Sequence, residues 1–317
     1  MKKDASIFVA GHRGLVGAAI LRSLESGGFE NVMTRSREQL DLVNQSSVDA
    51  FFASERPDYV ILAAAKVGGI LANDRYPADF MRINLQIQTN VIDAAWRNGA
   101  QKLCFLGSSC IYPKHAEQPL TEDALLTGPL EPTNQWYAIA KIAGIRMCQA
   151  YHKQHGFNAI SVMPTNLYGP GDNFDLQSSH VLPALLRKFD EAKRDGDASV
   201  TVWGSGSPRR EFLYVDDMAD AVCFLMENYD SPDIVNVGTG EDIAIAELAE
   251  LVRNVVGYAG EIAFDRSKPD GTPRKLMDVS KLQALGWQAS TGLEDGIRST
   301  WRWFLENRGD ARRARLR

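Results

Sequence analysis

Two textures alternate along the first half of the chain. Short, nearly continuous apolar runs occupy 6–10, 31–34, 59–63, 102–107 and 158–163, and between them apolar residues recur every three to four positions at 15–26, 47–55, 79–98 and 135–155. Continuous apolar runs predict strands buried on both faces, and the longer period predicts helices that cover them. Four consecutive β-α units predict right-handed crossovers and an α/β fold with a Rossmann-type, doubly wound parallel sheet.

Past residue 163 the pattern changes. A turn-rich stretch (Pro164, then Gly169-Pro170-Gly171) precedes a helical pattern near 178–194, and the polar run 192–199 reads as a loop. The short β-like segments 212–215 and 234–237 either extend the first sheet or start another. Helical patterns at 245–256 and 293–307 complete a smaller C-terminal α/β unit. The basic residues at 312–317 read most simply as a solvated end. No internal repeat or low-complexity tract is present.

Composition narrows the functional classes. The 317 residues carry 35 Lys+Arg against 40 Asp+Glu, a net charge of −5, which argues against a nucleic-acid surface. No apolar run approaches the roughly 18 residues of a spanning helix, so no membrane role is expected. The apolar run 7–10 is too short for a signal-peptide core, which gives a cytoplasmic expectation. Cys104, Cys110, Cys148 and Cys223 lack C-x-x-C spacing and form no disulfide framework, so they are expected as thiols.

Gly11-His12-Arg13-Gly14-Leu15-Val16-Gly17 follows the first strand directly and opens a helix. Glycines there permit a tight turn and a close backbone approach to a pyrophosphate, which the helix N-terminus then faces. In a strand-before, helix-after context this predicts dinucleotide binding. The end of the second strand reads the adenosine ribose, and here it is Thr34-Arg35-Ser36-Arg37. With Arg13, these arginines favour the 2′-phosphate of NADP, while Glu38 and Asp41 keep NAD as the alternative.

Tyr137 and Lys141 lie four apart on one helix face. An adjacent ammonium is expected to lower the phenol pKa and fit the pair to move a proton at a carbonyl or hydroxyl oxygen. Ser108, at the carboxyl edge of the fourth predicted strand, can donate to the same oxygen. Cys110, two residues on, would sit beside a substrate carbonyl whose α-hydrogens are acidic. His180 could be its acid–base partner, or could simply cap or pack against the helix it begins. His152 and His155 share a predicted helix without the glutamate of a zinc-protease motif, and no metal site is expected.

These residues, in G-x-x-G-x-x-G spacing with Ser108, Tyr137 and Lys141, resemble the extended short-chain dehydrogenase/reductase superfamily. Longer matches resemble its GDP-L-fucose synthase family: Ser-Arg-Glu-Gln-Leu-Asp-Leu at 36–42, Leu-Gly-Ser-Ser-Cys-Ile-Tyr-Pro at 106–113, Tyr-Ala-Ile-Ala-Lys at 137–141, Pro-Thr-Asn-Leu-Tyr-Gly-Pro at 164–170 and Lys-Pro-Asp-Gly-Thr-Pro-Arg-Lys at 268–275. The resemblance covers essentially the full chain. It implies NADPH-dependent 3,5-epimerisation and 4-reduction of GDP-4-keto-6-deoxy-D-mannose. Tyr137 would protonate the C4 oxygen, Ser108 polarise the ketone, and Lys141 bind the nicotinamide ribose and tune Tyr137. Cys110 and His180 would form the acid–base pair at C3 and C5.

By the same resemblance, the cofactor would contact residues 11–17, Arg37, Leu40, Asp41, Leu106, Gly107, Ser108, Lys141, Pro164, Asn166, Leu167 and His180. Lys188, Trp203, Arg210 and Asp270 would hold the GDP-sugar. An NADP-binding domain at 1–169 is expected, with segments near 212–240 returning to it, and a GDP-sugar domain at 170–317. Helices 79–98 and 135–155 resemble those through which the superfamily forms homodimers, although packing on the sheet would give the same periodicity. One departure is Asp41, where the family is expected to carry Asn; a carboxylate beside a 2′-phosphate would repel it.

Other nucleotide-sugar enzymes are the alternatives. A 4,6-dehydratase commonly carries Asp-Glu after its serine or threonine, where this chain has Ser109-Cys110. A 4-epimerase needs no second acid–base pair and is expected to carry an acidic residue at the ribose. A catalytically silent dinucleotide-binding regulator would have no use for Ser108, Tyr137 and Lys141 together.

Overall fold

The computed structural model describes residues 1–176, 178–268 and 270–311, so the basic segment 312–317 lies outside the described residues. From the N-terminus run β1 (Ile7–Ala10), α1 (Leu15–Ser26), β2 (Val32–Met33), α2 (Gln45–Glu55), β3 (Tyr59–Leu62), α3 (Ile70–Arg75), α4 (Pro77–Arg97), β4 (Lys102–Leu106), α5 (Gln135–His155) and β5 (Asn158–Pro164). There follow β6 (Asn166–Tyr168), α6 (Val181–Asp195), β7 (Ser199–Trp203), β8 (Arg209–Arg210), β9 (Phe212–Tyr214), α7 (Val215–Asn228) and β10 (Val235–Val237). The chain continues through β11 (Ile243–Ala244), α8 (Ile245–Val256), β12 (Glu261–Asp265), β13 (Arg274–Lys275), α9 (Ser280–Ala284), α10 (Leu293–Glu306) and α11 (Arg308–Ala311).

Six strands form a parallel sheet in the order β10-β5-β4-β3-β1-β2. Both faces are covered, which is why its strands read as apolar runs rather than alternations. Phe8, Ala10, Val60, Leu62, Leu103 and Phe105 face α2, α4 and α5, while Ile7, Val9, Ile61, Cys104 and Leu106 face α1 and α7. The strand order reverses between β1 and β3, so the loops after these two strands diverge there. That is the crevice at which open α/β sheets bind ligands.

The two ambiguous segments divide. Val235–Val237 extends the large sheet by pairing with β5, whereas Phe212–Tyr214 pairs with β6 in a separate two-stranded sheet. The loop expected at 192–199 is instead the last turn of α6, a glycine cap and the start of β7. Ala192 is buried, Gly196 takes the left-handed conformation (φ 75°), and β7 alternates buried Val200 and Val202 with exposed neighbours. α7, absent from the sequence expectation, packs beside α1 on the sheet. A third core gathers α6, α8 and α10 around Phe174, Leu186, Phe189 and Phe304.

Candidate active site

The glycine loop sits at the reversal point. A Cβ on Gly11 (φ 90°) would come 2.7 Å from the Ala64 backbone nitrogen, and one on Gly17 would come 2.1 Å from the Gly11 oxygen. Both glycines are required by the close passage of β1, the β3 loop and α1. Gly14 is different: a Cβ there would meet only the Gly11 oxygen, at 3.4 Å, so its outer side is open. No side chain caps α1 at Gly14, which leaves the first-turn N–H groups for an anion. This cradle fits the pyrophosphate of a dinucleotide. Gly17→Ala is expected to destabilise the fold by about 1–3 kcal/mol and to weaken dinucleotide binding at least ~tenfold, read by denaturant unfolding and by titration with NADPH.

At the second-strand turn, Arg13 lies 3.8 Å from Glu38 and Arg37 lies 4.0 Å from Asp41; both arginines are largely exposed. Asp41 accepts from the Val43 N–H at 3.1 Å. Its carboxylate is therefore turned to its own backbone and to Arg37, which answers the repulsion that an aspartate here would otherwise bring. Arg35 is drawn away to Glu55 at 2.9 Å. The Leu40 side chain is buried in the core, so any cofactor contact there is left to its backbone.

The remaining expected cofactor positions lie around the carboxyl ends of β4 and β5: Leu106 ends β4 and Gly107 follows it, Pro164 ends β5, and Asn166 and Leu167 open β6 just beyond. The Gly107 N–H donates to the Val162 oxygen at 2.8 Å, and the Asn166 amide donates to the Glu211 oxygen at 2.7 Å, which fixes this edge.

Ser108 opens a 3₁₀ turn, Ser109–Ile111, and its hydroxyl accepts from the Cys110 N–H at 3.3 Å. The same hydroxyl faces the Tyr137 phenol and the Cys110 thiol. α5 brings Tyr137 and Lys141 to this turn by close approach to the sheet. A Cβ on Gly144 would come 2.4 Å from the Phe105 ring, and Gln88 of α4 donates to the Ala140 oxygen at 2.7 Å. Lys141 is buried and donates to the Leu106 oxygen at 2.7 Å, with its ammonium 5.8 Å from the centre of the Tyr137 ring.

The electrostatics correct one expectation. Burial pushes the Tyr137 phenol up from its ordinary value, the neighbouring Cys110 adds to the rise, and only the Ser108 hydroxyl opposes it. The ammonium expected to lower it is committed to the Leu106 carbonyl. Burial also brings Lys141 down to about 8. Tyr137 is thus held protonated near neutrality, as suits a proton donor.

Burial raises the Cys110 thiol, against the pull of Lys275, Ser108 and Lys141. His180 is the N-cap residue of α6, yet its imidazole makes no capping bond. The residue reaches solvent, yet the protein packed around its imidazole, followed by the charge of Lys275, lowers its pKa. Cys104 and Cys148 are buried free thiols raised by burial, with no such set around them.

The four expected sugar-nucleotide residues gather on one rim. The Lys188 ammonium donates to the Thr201 oxygen at 2.9 Å and lies 5.5 Å from the half-exposed Trp203 ring, over which Lys268 also lies at 5.5 Å. Asp270 takes the Ser205 N–H and hydroxyl at 2.8 and 2.7 Å, so its carboxylate organises the 203–207 turn. Its charge also faces Arg210. Sequence reasoning missed Lys268 and Ser205 as parts of this rim, although Lys268 stood inside the quoted 268–275 motif.

Known proteins resemble this chain along nearly its whole length. The profile of the NAD dependent epimerase/dehydratase family matches residues 7–238. GDP-L-fucose synthase 1 of Arabidopsis thaliana is 62% identical over 96% of this chain and 94% of its own length. GDP-L-fucose synthase of Escherichia coli K12 is 56% identical over 95% of this chain and 97% of its own. Among solved structures, a GDP-L-fucose synthetase from Naegleria fowleri bound to NADP superposes with a TM-score of 0.91 at 32% identity, covering 98% of this chain and 96% of that one. Likeness of this extent along the whole chain places the protein in the NAD dependent epimerase/dehydratase family of extended short-chain enzymes, on the branch of the GDP-L-fucose synthases.

Proposed function

We propose that this protein converts GDP-4-keto-6-deoxy-D-mannose to GDP-L-fucose by NADPH-dependent 3,5-epimerisation and 4-reduction. The observation that carries the reading is the seating of Cys110 against Ser108, Tyr137 and Lys141, two acid–base systems at one carbonyl position. A C4 ketone makes both neighbouring C–H groups acidic and is itself reducible, so one site can serve both reactions. Cys110 and His180 move protons at C3 and C5. Tyr137 then gives its proton to the C4 oxygen while Ser108 holds that oxygen by a hydrogen bond. When bound, NADPH supplies the hydride to C4.

Lys141 carries a positive charge beside the phenol and contacts the nicotinamide ribose. Lys188 and Arg210 suit a diphosphate, and Trp203 offers a flat apolar face to the nucleoside. In this reading residues 1–169, with segments near 212–240 returning to them, hold the cofactor and the rest of 170–317 the sugar nucleotide, and the enzyme works in the cytoplasm. It pairs as a homodimer through α4 and α5, where Trp136 and Ile139 are exposed. Among the described residues no helix is long and apolar enough to cross a membrane.

The test is stoichiometric: one NADPH consumed per GDP-4-keto-6-deoxymannose, and none with GDP-mannose, which has no ketone. Sugar inversion at C4 without net NADPH consumption would indicate a 4-epimerase, and loss of water from GDP-mannose a dehydratase. For cofactor choice, Arg37→Ala is expected to raise KM for NADPH about tenfold, roughly 1.4 kcal/mol, with KM for NADH little changed. An equal rise for both cofactors would remove Arg37 from recognition of the 2′-phosphate.

A further inference from the structure

The Cys110 thiol has a cationic neighbour to which the sequence reading gave no role. Lys275 ends β13, whose parallel pairing with β8 places Lys275 opposite Arg210. The residues that follow fasten this strand to the cleft wall. The Leu276 N–H donates to Gln118 at 2.8 Å, the Leu120 N–H donates to the Leu276 oxygen at 2.8 Å, and the Met277 N–H donates to Glu211 at 2.9 Å. Glu211 is fully buried and also accepts from the Thr239 and Gly240 N–H groups at 2.6 and 2.8 Å, so its carboxylate ties separate backbone segments together.

From this anchored strand, Lys275 and Cys110 line one cavity, together with Ser109, Tyr112 and Gln118. Among the described residues no hydrogen bond or ion pair takes up the Lys275 ammonium. The charged and titratable groups facing Cys110 are Lys275, Lys141 and Tyr137, with the Ser108 hydroxyl. Burial lowers the Lys275 pKa, Cys110 and then Glu211 hold its proton on, and Arg210 opposes them; the charged group facing His180 is Lys275. Of the influences that draw the thiol down against burial, Lys275 is the largest, ahead of Ser108 and Lys141.

A buried thiol with no cation beside it stays protonated and cannot act as a base. We propose that the Lys275 ammonium, set by β13 in the same cavity as Cys110, is the positioning charge that lets Cys110 and His180 move protons at C3 and C5. The role belongs to epimerisation and not to reduction, and it rests on the epimerase reading above. In the step it serves, the Cys110 thiolate takes the C–H proton, and the C–H electron pair becomes the enolate double bond with its charge on the C4 oxygen. The imidazolium of His180 returns a proton to the opposite face of the same carbon, and thiol and imidazole then re-equilibrate with solvent. The Lys275 charge favours the thiolate and makes the imidazolium a stronger acid, so it assists both transfers.

The test compares the full-length enzyme with Lys275→Met and Lys275→Arg. The first readout is the pH dependence of Cys110 alkylation by iodoacetamide, located by mass spectrometry; the second is deuterium incorporation at C3 and C5. The Met variant is expected to move the alkylation midpoint upward and to slow exchange at neutral pH at least ~tenfold, with NADPH binding unchanged. The Arg variant, which keeps the charge, is expected to stay within about threefold of wild type in both. An unmoved midpoint in the Met variant overturns the proposal, as do equal losses in the Met and Arg variants, which would mark a packing role. If the neutral variant does not fold, the Arg variant decides, since loss of exchange in a folded Arg variant also overturns it. Absence of exchange in the wild type overturns the epimerase reading itself, whereas exchange with an unmoved Met midpoint overturns the role of Lys275 alone.

Discussion

Cys110→Ser is expected to abolish deuterium incorporation from solvent at C3 and C5 of the keto sugar, a loss of at least about a thousandfold. The exchange needs a base that can hold and release a proton near neutrality. A serine hydroxyl is close to the thiol in size, so it should preserve the 3₁₀ turn Ser109–Ile111 and the bond from residue 110 N–H to Ser108. It cannot ionise in that range, even with Lys275 and Lys141 facing it. Fold and NADPH binding should survive, because the cofactor cradle at 11–17 is built from other segments. Normal exchange by the serine variant, followed by NMR of the recovered sugar, would remove Cys110 from the mechanism.

Tyr137→Phe is expected to lower NADPH oxidation by about a hundredfold or more while cofactor affinity stays within a few-fold. The ring should keep its edge-on contact with Phe80, 6.3 Å between centres, so the substitution removes the proton and little else. The phenol is held protonated by burial and by Cys110, and its loss leaves the developing C4 oxyanion with Ser108 alone. Exchange at C3 and C5 should persist, since Cys110 and His180 are intact. The wild-type reductive rate should also fall as pH rises above about 8, where Lys141 loses the ammonium proton that burial has already loosened. Full turnover by the Phe variant would assign the proton donor elsewhere.

The parallel sheet was legible because its strands are buried on both faces and therefore print as runs such as Ile7-Phe8-Val9-Ala10. The residues proposed to react stand out in the sequence for a local reason: Ser108 and Cys110 share one turn, and Tyr137 and Lys141 share one helix face. Other parts left no such trace. β8, β11 and β13 are two-residue strands that exist only through mutual pairing, too short for any period to register. α7 carries a helical spacing of apolar residues at Val215, Met218, Ala219, Val222 and Leu225, but its β-like beginning beside Phe212–Tyr214 drew the reading away from helix.

Electrostatics were the least legible. Nothing in Tyr-x-x-x-Lys shows that the ammonium is committed to the Leu106 carbonyl, and nothing near Arg210 shows that Glu211 is a fully buried tie between segments. Lys275 stood in a motif that was recognised, yet its position against Cys110 is set by β13 and by contacts with Gln118 and Leu120, more than 150 residues away in sequence. Asp41 was read as a possible obstacle to NADP, and only its bond to the Val43 N–H and its nearness to Arg37 show where its charge is directed.

In the proposed function one carbonyl site performs both chemistries. The most direct measurement is a single reaction of the wild-type enzyme with GDP-4-keto-6-deoxymannose and NADPH in deuterium oxide, with the product sugar identified by NMR. The expected product is GDP-L-fucose carrying solvent deuterium at C3 and C5. A sugar reduced at C4 with both carbons unlabelled and uninverted would contradict it.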